Sequence, residues 1–389
     1  MRYGIMGWAW VMCGVWGVQA QVEAVWLTHR SATPEKTVIN WKSVTPGASC
    51  VRYGEDQTCS TTLRVAGERT LHHVEIPTPQ LGIPLFYCVE SGTQRSGPHR
   101  IVPCPEDQVR VAILADLGYA GRPDLSALKA DNPHFLMTAG DQVPHIINPN
   151  QAGDVTYIQP YIDLFKAESN LFTTTRLMPI LGNHDKQVGP RDNKRPGQSR
   201  ETYDIAATAY LSIFSLPEPG WRWAFTIPQA DVTFLALDMH HLSDFGTTFQ
   251  TSHDHHPGSE QFAWYDEQSR NAKTGFVVTL FNASSRARNE AKGAWHEMFS
   301  RGTLCITGYG YYAERAVEKN GLPYYNTCVA KAGDVYRDPK AVVCEPLSNY
   351  MLLTFNRAKG ELQVALKQLD GRVIDSQVYH ARHATPVSK

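Results

Sequence analysis

Three apolar segments, each ending in polar residues of the metal-ligating type, constrain what this chain can fold into. "VAILADLG" places Asp116 directly after the first segment, and "FLMTAGD" places Asp141 after the second. "LMPILGNHD" ends the third segment with Asn183, His184 and Asp185. Ligands of an α/β sheet bind beyond the carboxyl ends of its strands. The sequence therefore predicts a crevice in which carboxylate and amide oxygens from three strand ends converge.

Any one of these residues also has an ordinary structural explanation, because Asp and Asn are favoured as helix caps and turn residues. The ordered set favours a metal site, since the glycines before Asp141 and Asn183 let the backbone turn tightly and approach a ligand. A carboxylate such as that of Asp141 can bridge two cations about 3.5–4 Å apart, which clamp a phosphoryl group and generate hydroxide. His184 would then act as a general acid or phosphate-oxygen donor. The predicted chemistry is phosphoester hydrolysis.

The spacing of apolar and polar residues changes once along the chain and divides it into two regions. From Val22 to about Pro105, short alternating segments separated by turn residues predict a β-sandwich. From Val109 onward, apolar runs alternate with helical stretches and predict an α/β sheet with helices on its faces. We therefore expect one domain over residues 21–105 and a second over residues 106–381.

The N-terminal residues predict export. Arg2 precedes an uncharged apolar stretch, and "VQA" then places Val18 and Ala20 at the small-residue positions before a cleavage site. The alternative is a membrane anchor or a buried strand, but the apolar run is shorter than the roughly 20 residues of a spanning helix. We expect a signal peptide over residues 1–20, a secreted or periplasmic location and no membrane span after cleavage.

The cysteines are consistent with an oxidising compartment, where disulfides persist. Removal of Cys13 with the signal peptide leaves an odd number of cysteines, so at least one thiol has no partner within the chain. Sequence alone does not fix their connectivity. The spacings suggest three pairs and leave Cys305 buried in a strand; the pairs are Cys50 with Cys59, Cys88 with Cys104, and Cys328 with Cys344.

The charge of the chain excludes some partners. Its 37 basic and 38 acidic residues nearly cancel, which gives no electrostatic footprint for an anionic polymer or membrane surface. We therefore expect no nucleic-acid partner. The sequence also contains no CxxC pair or zinc-finger spacing.

The motifs resemble those of the calcineurin-like metallophosphoesterases, and specifically of the purple acid phosphatases. The resemblance rests on "DLG", "GD" and "GNHD" in order, on "LHHVEIPTPQLGIPLFYCVES", and on "PGSEQFAWYDEQS". It covers nearly the whole mature chain. It implies an α/β protein with an N-terminal fibronectin type III-like β-sandwich followed by a four-layer α/β/β/α metallophosphatase sandwich. It also implies Fe, Zn, Mn, Mg or Ca ions as cofactors.

The chain departs from the family pattern at four of the seven metal-ligand positions that the resemblance implies. Pro144 stands where the family has a tyrosine, Asn282 replaces a histidine, and "GYGYYAER" carries Tyr309 and Tyr311 at two further histidine positions. The matching "ER" after these tyrosines supports the register. The retained ligands are Asp116, Asp141 and Asn183. Because imidazole nitrogens are strong ligands that oxygen substitutes do not equal, metal binding is expected to be weakened.

Two replacement ligand sets stay open. Asn282, Tyr309 and Tyr311 offer oxygens that suit a hard cation such as Mg²⁺, Ca²⁺ or Fe³⁺. A tyrosine ligates well only after losing its proton, and its ordinary pKa is near 10. The second set is the loop "SHDHHPGSE", whose histidines would bind metal if the loop folded over the crevice. These histidines are His253, His255 and His256.

Three functions follow from this sequence. The leading expectation is a non-hydrolytic descendant of a phosphatase that binds a phosphoester, another anionic small molecule or a glycan. Aromatic residues would suit stacking on a sugar if they face the crevice, although they also fill ordinary cores; they are Trp221, Trp223, Tyr309, Tyr311, Tyr312, Tyr324 and Tyr325. The second is an active phosphomonoesterase or phosphodiesterase with an altered, oxygen-rich or loop-histidine metal site. The third is a sandwich that docks to a partner.

Overall fold

The computed structural model describes residues 21–78, 82–188, 203–240, 250–330 and 333–382. The signal peptide predicted over residues 1–20 lies outside these residues. Within the described ranges, no helix has the length and apolar character needed to cross a membrane.

The N-terminal region folds as an antiparallel sheet. Its strands are β1 (Ala24–Thr28), β2 (Lys36–Gly54), β3 (Thr61–Pro77), β4 (Leu85–Ser91) and β5 (Gln94–Ile101). The first part of β2 pairs with β1 and its end pairs with β4, while β3 follows β2 along most of its length. The β2–β3 register shifts between Lys42 and Ser49, and bulges of this kind bend a strand. Trp41 and Val51, from the two parts of β2, belong to one buried cluster. The strand-rich region thus packs about a core of its own.

The second region begins after Cys104. In chain order its elements are β6 (Gln108–Leu114), α1 (Ser126–Ala130), β7 (Phe135–Thr138), α2 (Gln159–Ala167), α3 (Ser169–Phe172), β8 (Arg176–Met178), α4 (Thr208–Ile213), β9 (Trp223–Ile227), β10 (Val232–His240), α5 (Glu260–Asn271), β11 (Phe276–Asn282), α6 (Ala294–Phe299), β12 (Leu304–Thr307), β13 (Ala313–Val317), β14 (Pro323–Asn326), β15 (Ala341–Glu345), β16 (Asn349–Asn356), β17 (Glu361–Gln368) and β18 (Val373–His380). Short 3₁₀ turns follow several strands, over Leu117–Tyr119, Asn183–Asp185, Pro228–Ala230 and Ser285–Gly293.

These strands form two sheets that pack face to face. One sheet has the order β18-β17-β16-β6-β7-β8, and the other has the order β15-β13-β14-β12-β11-β10-β9. Phe234 of β10 meets Phe355 of β16 edge to face, with ring centroids 6.1 Å apart. Tyr265 of α5 and Trp295 of α6 cover the outer face of the second sheet, whereas the buried side chains of α1 to α4 belong to the larger cluster with the first sheet. The predicted α/β/β/α layering is confirmed.

The central strands of both sheets are parallel, and this positions the site. Strands β6, β7 and β8 run parallel, as do β10, β11 and β12. Their carboxyl ends therefore meet at one edge of the double sheet. Gly308, just after β12, lies so close to the end of β7 that an added Cβ would stand 2.3 Å from the Ala139 carbonyl oxygen. The loops that carry the predicted ligands thus face each other.

The N-terminal sheet shares buried contacts with the second region. Trp26 of β1 stacks on Phe165 of α2 with ring centroids 4.5 Å apart, and its indole N–H donates to the Ile213 carbonyl oxygen at 3.0 Å. The Tyr87 hydroxyl donates to the Thr173 carbonyl oxygen at 2.8 Å. Removing the N-terminal sheet would expose these partners, so the two regions depend on each other for burial.

The seven cysteines among the described residues are free thiols, and the three predicted pairs are not formed. Cys104 packs in the core of the second region, away from Cys88 of β4. Burial raises the pKa of the Cys328 thiol, and the nearby Asp116 carboxylate adds to this effect, whereas Cys344 stands opposite Glu314 in the β13–β15 pairing. Cys305 is buried within β12, as predicted.

Two other sulfur atoms do lie close together. Cys59 follows β2 and Cys88 lies in β4, and their Sγ atoms are 3.8 Å apart in a buried position.

We predict that treatment with oxidised glutathione forms a disulfide bond between Cys59 and Cys88. The glutathione disulfide accepts the two electrons and two protons that the thiols lose. Peptide mapping without reductant should find the Cys59–Cys88 peptide pair. Cys88→Ser should remove this pair and Cys104→Ser should leave it intact, whereas a Cys50–Cys59 pair would contradict the prediction.

Candidate functional site

Asp116 and Asp141 are brought together by the backbone at the ends of β6 and β7. Each has a φ of 55°, in the left-handed region that Asp tolerates better than most residues. The Asp116 N–H donates to the Gly140 carbonyl oxygen at 3.2 Å, and the Gly118 N–H donates to the Asp141 carbonyl oxygen at 3.2 Å. The two strand-end loops are thus bonded to each other and present both carboxylates to one cavity.

Asp185 ties the third loop to the second. Its buried carboxylate accepts the N–H groups of Asp141 at 2.9 Å, Gly182 at 2.8 Å and Gln142 at 3.1 Å. The Asp141 carboxylate in turn accepts the His184 N–H at 3.0 Å. Gly182 is required here, because a Cβ at that position would lie 2.0 Å from Asp141 Oδ1. Asp185 therefore positions the ligand-bearing loops.

Two of the retained ligand residues carry buried acceptor atoms that the protein does not satisfy. Asp116 Oδ2 and Asn183 Oδ1 are buried and have no hydrogen-bond partner, which is costly for acceptor atoms unless something else satisfies them. Burial raises the pKa of Asp116 well above its ordinary value, and the negative charge of Asp141 adds to this effect. Carboxylate and amide oxygens are the ligands that hard divalent cations prefer. Asp116, Asp141 and Asn183 would hold such a cation, whose charge would offset the repulsion between the carboxylates.

Asn282, which stands where the resemblance implies a histidine, joins the two sheets. Its amide group donates to the Ala139 carbonyl oxygen at 2.9 Å and to the Gly308 carbonyl oxygen at 2.7 Å. Its Oδ1 lies 3.4 Å from Nδ1 of His240. A Cβ on Gly140 would stand 2.5 Å from the Asn282 amide nitrogen, so the side chain is packed tightly against the β7 loop. All of its polar atoms face protein groups.

A buried ion-pair cluster lies behind Asn282. Lys186 Nζ is 2.8 and 2.9 Å from the two Asp238 carboxylate oxygens and donates to the Thr251 carbonyl oxygen at 2.6 Å. Asp238 also contacts His240 Nε2 at 2.5 Å and His253 Nδ1 at 2.6 Å. Burial acts to raise the pKa of Asp238, yet the charges of Lys186 and His240 hold it well below its ordinary value. This part of the site thus contains a protonated amine and a carboxylate that satisfy each other.

Tyr309 and Tyr311 point in different directions. The Tyr309 ring packs on Tyr336 with centroids 4.8 Å apart, whereas the Tyr311 ring meets Tyr119 edge to face at 6.2 Å. Burial raises the pKa of both hydroxyl groups, and the nearby Asp116 carboxylate raises that of Tyr311 further. Both residues are therefore neutral phenols near neutral pH, which makes them weak metal ligands.

The three histidines of the "SHDHHPGSE" loop do not converge on one point. The His253 ring stacks on Trp221 at 3.8 Å and is bonded to Asp238. His255 is buried with Nε2 3.0 Å from a Glu290 carboxylate oxygen, and His256 is exposed. Within the described residues, no group of three or more His, Cys, Asp or Glu side chains is arranged to hold a metal ion.

The sequence analysis missed Tyr119, which directly follows the "DLG" motif. Its hydroxyl lies 2.7 Å from Nδ1 of His184 and 3.1 Å from the carbonyl oxygen of Pro144, the residue at the family tyrosine position. Burial raises its pKa, and the charge of Asp141 adds to the shift. A neutral tyrosine hydroxyl from a different loop thus lies beside the histidine that the sequence predicts to be catalytic.

These groups surround one cavity of about 280 Å³. Its lining combines four tyrosines, three carboxylates and one histidine with two glycines; they are Asp116, Tyr119, Asp141, His184, Gly308, Tyr309, Gly310, Tyr311, Asp334 and Tyr336. Asp334 and Tyr336 come from the loop after β14, which carries no periodic pattern that would have indicated them. Of the other predicted aromatic residues, Trp223, Tyr312, Tyr324 and Tyr325 are buried in the core.

The Lys186–Asp238 pair should be essential for stability. We predict that Lys186→Met lowers the free energy of unfolding by about 3–5 kcal/mol, because it leaves the Asp238 carboxylate buried without its main counter-charge. The double variant Lys186→Met/Asp238→Leu should recover part of this loss, since replacing both partners of a buried pair by apolar residues is often tolerated. Urea unfolding followed by circular dichroism measures both changes. Equal destabilisation by the single and double variants would contradict the assignment.

Comparison with known proteins identifies the fold. The sequence matches no protein-family model and no curated protein. The structure is similar to a purple acid phosphatase from seeds of yellow lupin (Lupinus luteus), with a TM-score of 0.66, 14% identity, and coverage of 93% of this chain and 74% of that chain. It is also similar to PhoD, with a TM-score of 0.63, 10% identity, and coverage of 94% and 90%. The chain therefore has the calcineurin-like metallophosphoesterase fold in its purple acid phosphatase-like form.

Proposed function

We propose that this protein is an exported phosphoester-binding protein that has lost two-metal hydrolysis and uses one cation to hold its anionic ligand. The observation that carries this proposal is the contrast between the two halves of the site. Asp116 Oδ2 and Asn183 Oδ1 are buried acceptors without partners, whereas the polar atoms of Asn282 all face protein groups. One half of the site can accept a cation, and the other half is already satisfied.

The charge of the cavity explains why a cation is needed. Asp116, Asp141 and Asp334 line it, and the described lining residues include no lysine or arginine. A phosphate group entering this cavity alone would meet carboxylates of its own charge. A bound divalent cation would neutralise part of that charge and attract the phosphate oxygens. Ligand binding is therefore expected to depend on the metal.

His184 and Tyr119 then supply the remaining contacts. Both side chains line the cavity, and the Tyr119 hydroxyl is within hydrogen-bonding distance of the imidazole. The hydroxyl lies 2.7 Å from Nδ1 and 2.8 Å from Nε2, so it restrains the ring without selecting which nitrogen faces a phosphate oxygen. His184 is bonded through its backbone N–H to the Asp141 carboxylate, so its position is set by the same group that would hold the cation. These residues bind and orient the anion.

Hydrolysis by two metals would require a second ion that the chain is poorly equipped to hold. Of the ligands that the resemblance implies for that ion, only Asp141 and Asn183 remain, and the single cation proposed above already uses both. Asn282 donates its amide protons to two carbonyl groups, and the Tyr309 ring packs on Tyr336. Both ions are needed to stabilise the attacking and leaving oxygens in a two-metal displacement. The same site therefore favours binding over turnover.

The retained His184 favours one second candidate, an active phosphomonoesterase or phosphodiesterase with an altered metal set. The imidazole lines the cavity beside Asp116 and Asp141, where it could protonate a leaving group. A binding-only site needs His184 only as a hydrogen-bond donor. Metal stoichiometry and turnover separate these two functions.

The metal test uses the mature protein purified without chelator. We expect one divalent cation per chain, phosphate binding by calorimetry that disappears with EDTA, and no hydrolysis of aryl phosphates or diesters from acidic to neutral pH. Asp116→Asn should abolish metal-dependent phosphate binding and should stabilise the metal-free protein by about 1–3 kcal/mol, because a buried acceptor charge is removed. Asp107→Asn, an exposed substitution, is the matched control.

The outcomes are distinct. Two cations per chain with turnover that is lost in His184→Ala would establish the second candidate and overturn the binding-only function. Absence of both metal and phosphate binding would overturn the proposal itself.

Restoring the family histidine at position 282 should not restore a metal site. We predict that Asn282→His lowers the free energy of unfolding by about 1–3 kcal/mol, because the carbonyl groups of Ala139 and Gly308 lose their donor. Asn282→Asp is the control of similar size that also removes the amide protons, and it should be destabilising as well. Urea unfolding and metal analysis measure the result. A second bound metal with new phosphatase activity in Asn282→His would contradict this prediction.

A further inference from the structure

The outer wall of the cavity is built from tyrosine rings. Tyr309 and Tyr336 pack together with ring centroids 4.8 Å apart and an interplanar angle of 30°. Tyr119 and Tyr311 meet at 73° with centroids 6.2 Å apart, so their rings form a corner. All four line the same cavity, and Tyr119 and Tyr336 are about two-fifths exposed, at 38% and 41%. The wall is therefore aromatic and accessible.

A carboxylate is fixed beside these rings. Asp334 lines the cavity, and its Oδ2 accepts the Tyr336 hydroxyl proton at 2.9 Å. Its carbonyl oxygen accepts the Tyr311 N–H at 3.0 Å, which connects the wall to the strand-end loop of β12. The positive charge of Arg286 is near enough to Tyr309 to act against the rise in its pKa. The Arg286 guanidinium donates to the Arg337 carbonyl oxygen, however, and does not line the cavity. The described lining thus carries negative charge and aromatic faces.

Aromatic faces combined with carboxylates recognise organic cations. A cation over a phenol ring is attracted by the ring quadrupole within about 6 Å, and quaternary ammonium groups are bound by such aromatic walls. A second observation points to a ligand in the same cavity, because Asp116 Oδ2 is buried, faces this cavity and has no partner. The cavity therefore offers a cation-stabilised anion site at one end and an ammonium site at the other.

We propose that the tyrosine wall binds an organic ammonium group, so that the ligand is a zwitterionic phosphoester of an amino alcohol. The phosphate half of this ligand rests on the proposed function and is held by the cation that Asp116, Asp141 and Asn183 would bind. The ammonium half is held by Tyr309, Tyr336 and Asp334. Tyr311 lies between the two ends, since it interacts electrostatically with Asp116 and is bonded through its backbone to Asp334.

This assignment gives a binding function to the tyrosines that stand at the replaced ligand positions. Tyr309 and Tyr311 stand where the resemblance implies histidines, and they contribute ring faces in place of metal-binding nitrogens. The ordinary pKa of a tyrosine is near 10, so the rings are neutral near neutral pH and their faces attract a cation. The loss of the second metal ion and the gain of an ammonium site then have one structural origin.

The test compares three probes by calorimetry with the mature protein in Mg²⁺: phosphocholine, glycerol 3-phosphate and choline. We expect phosphocholine to bind about tenfold more tightly than glycerol 3-phosphate, which corresponds to the contribution of one cation–π contact with partial desolvation. Tyr336→Leu should remove this preference and leave glycerol 3-phosphate binding within about twofold. Tyr336→Phe, which keeps the ring, should retain the preference.

Each alternative result has a definite meaning. Equal, metal-dependent binding of phosphocholine and glycerol 3-phosphate would overturn the ammonium site and leave the phosphoester site standing. Binding of choline without metal, together with no gain in affinity from the phosphate group of phosphocholine and no binding of glycerol 3-phosphate, would support the ammonium site and overturn the proposed phosphoester function. Binding of none of the three probes would overturn both. A preference for phosphocholine that survives in Tyr336→Leu and in Asp334→Asn would overturn the assignment of the wall.

Discussion

The Asp185 carboxylate accepts N–H groups from Asp141, Gln142 and Gly182, and the geometry of the crevice depends on these bonds. They bind the loop after β8 to the loop after β7, and the bonds between the Asp116 and Asp141 loops extend the connection to β6. One buried side chain thus joins two of the strand-end segments, and backbone hydrogen bonds join the third to them. The candidate ligands can converge only because this carboxylate satisfies donors that would otherwise be buried without partners.

Asn282 plays the corresponding part between the two sheets. Its amide donates to the ends of β7 and β12, and its oxygen faces His240, which belongs to the Lys186–Asp238 cluster. A histidine that ligates a metal at this position would have to give up those roles. The hydrogen bonds of Asn282 are therefore coupled to the ion pair behind it. Asn282 thus belongs to a network, and replacing this one side chain would break several of its bonds at once.

The sequence predicted the parts of the molecule that follow from periodicity and strand ends. The layered α/β architecture and the meeting of Asp116 and Asp141 in one cavity could be predicted, because parallel strands bring their carboxyl ends to a common edge. The Cys59–Cys88 proximity could not, since it depends on the β2–β4 register and on the turn after β2. Tyr119 was missed for a related reason: its role depends on where a side chain points from a short 3₁₀ turn. Such directions are set by packing.

The burial of the Lys186–Asp238 pair could not be predicted from the sequence either. Lys186 directly follows "GNHD", but nothing in its local sequence indicates that its ammonium group is fully buried against a carboxylate from β10. Burial of such a pair costs desolvation that only good geometry and further hydrogen bonds can offset. Here Thr251 and the two histidines supply those bonds.

The buried polar groups around Asn282 and Lys186 satisfy one another. In the other half of the site, Asp116 and Asn183 carry buried acceptors without partners. Because the described lining of this cavity contains three carboxylates and no lysine or arginine, its negative charge can be balanced by protonation of Asp116, whose pKa burial raises, or by the cation proposed above. The tyrosine wall and Asp334 line the same cavity, so the ammonium group of the proposed ligand would meet the same excess of carboxylates.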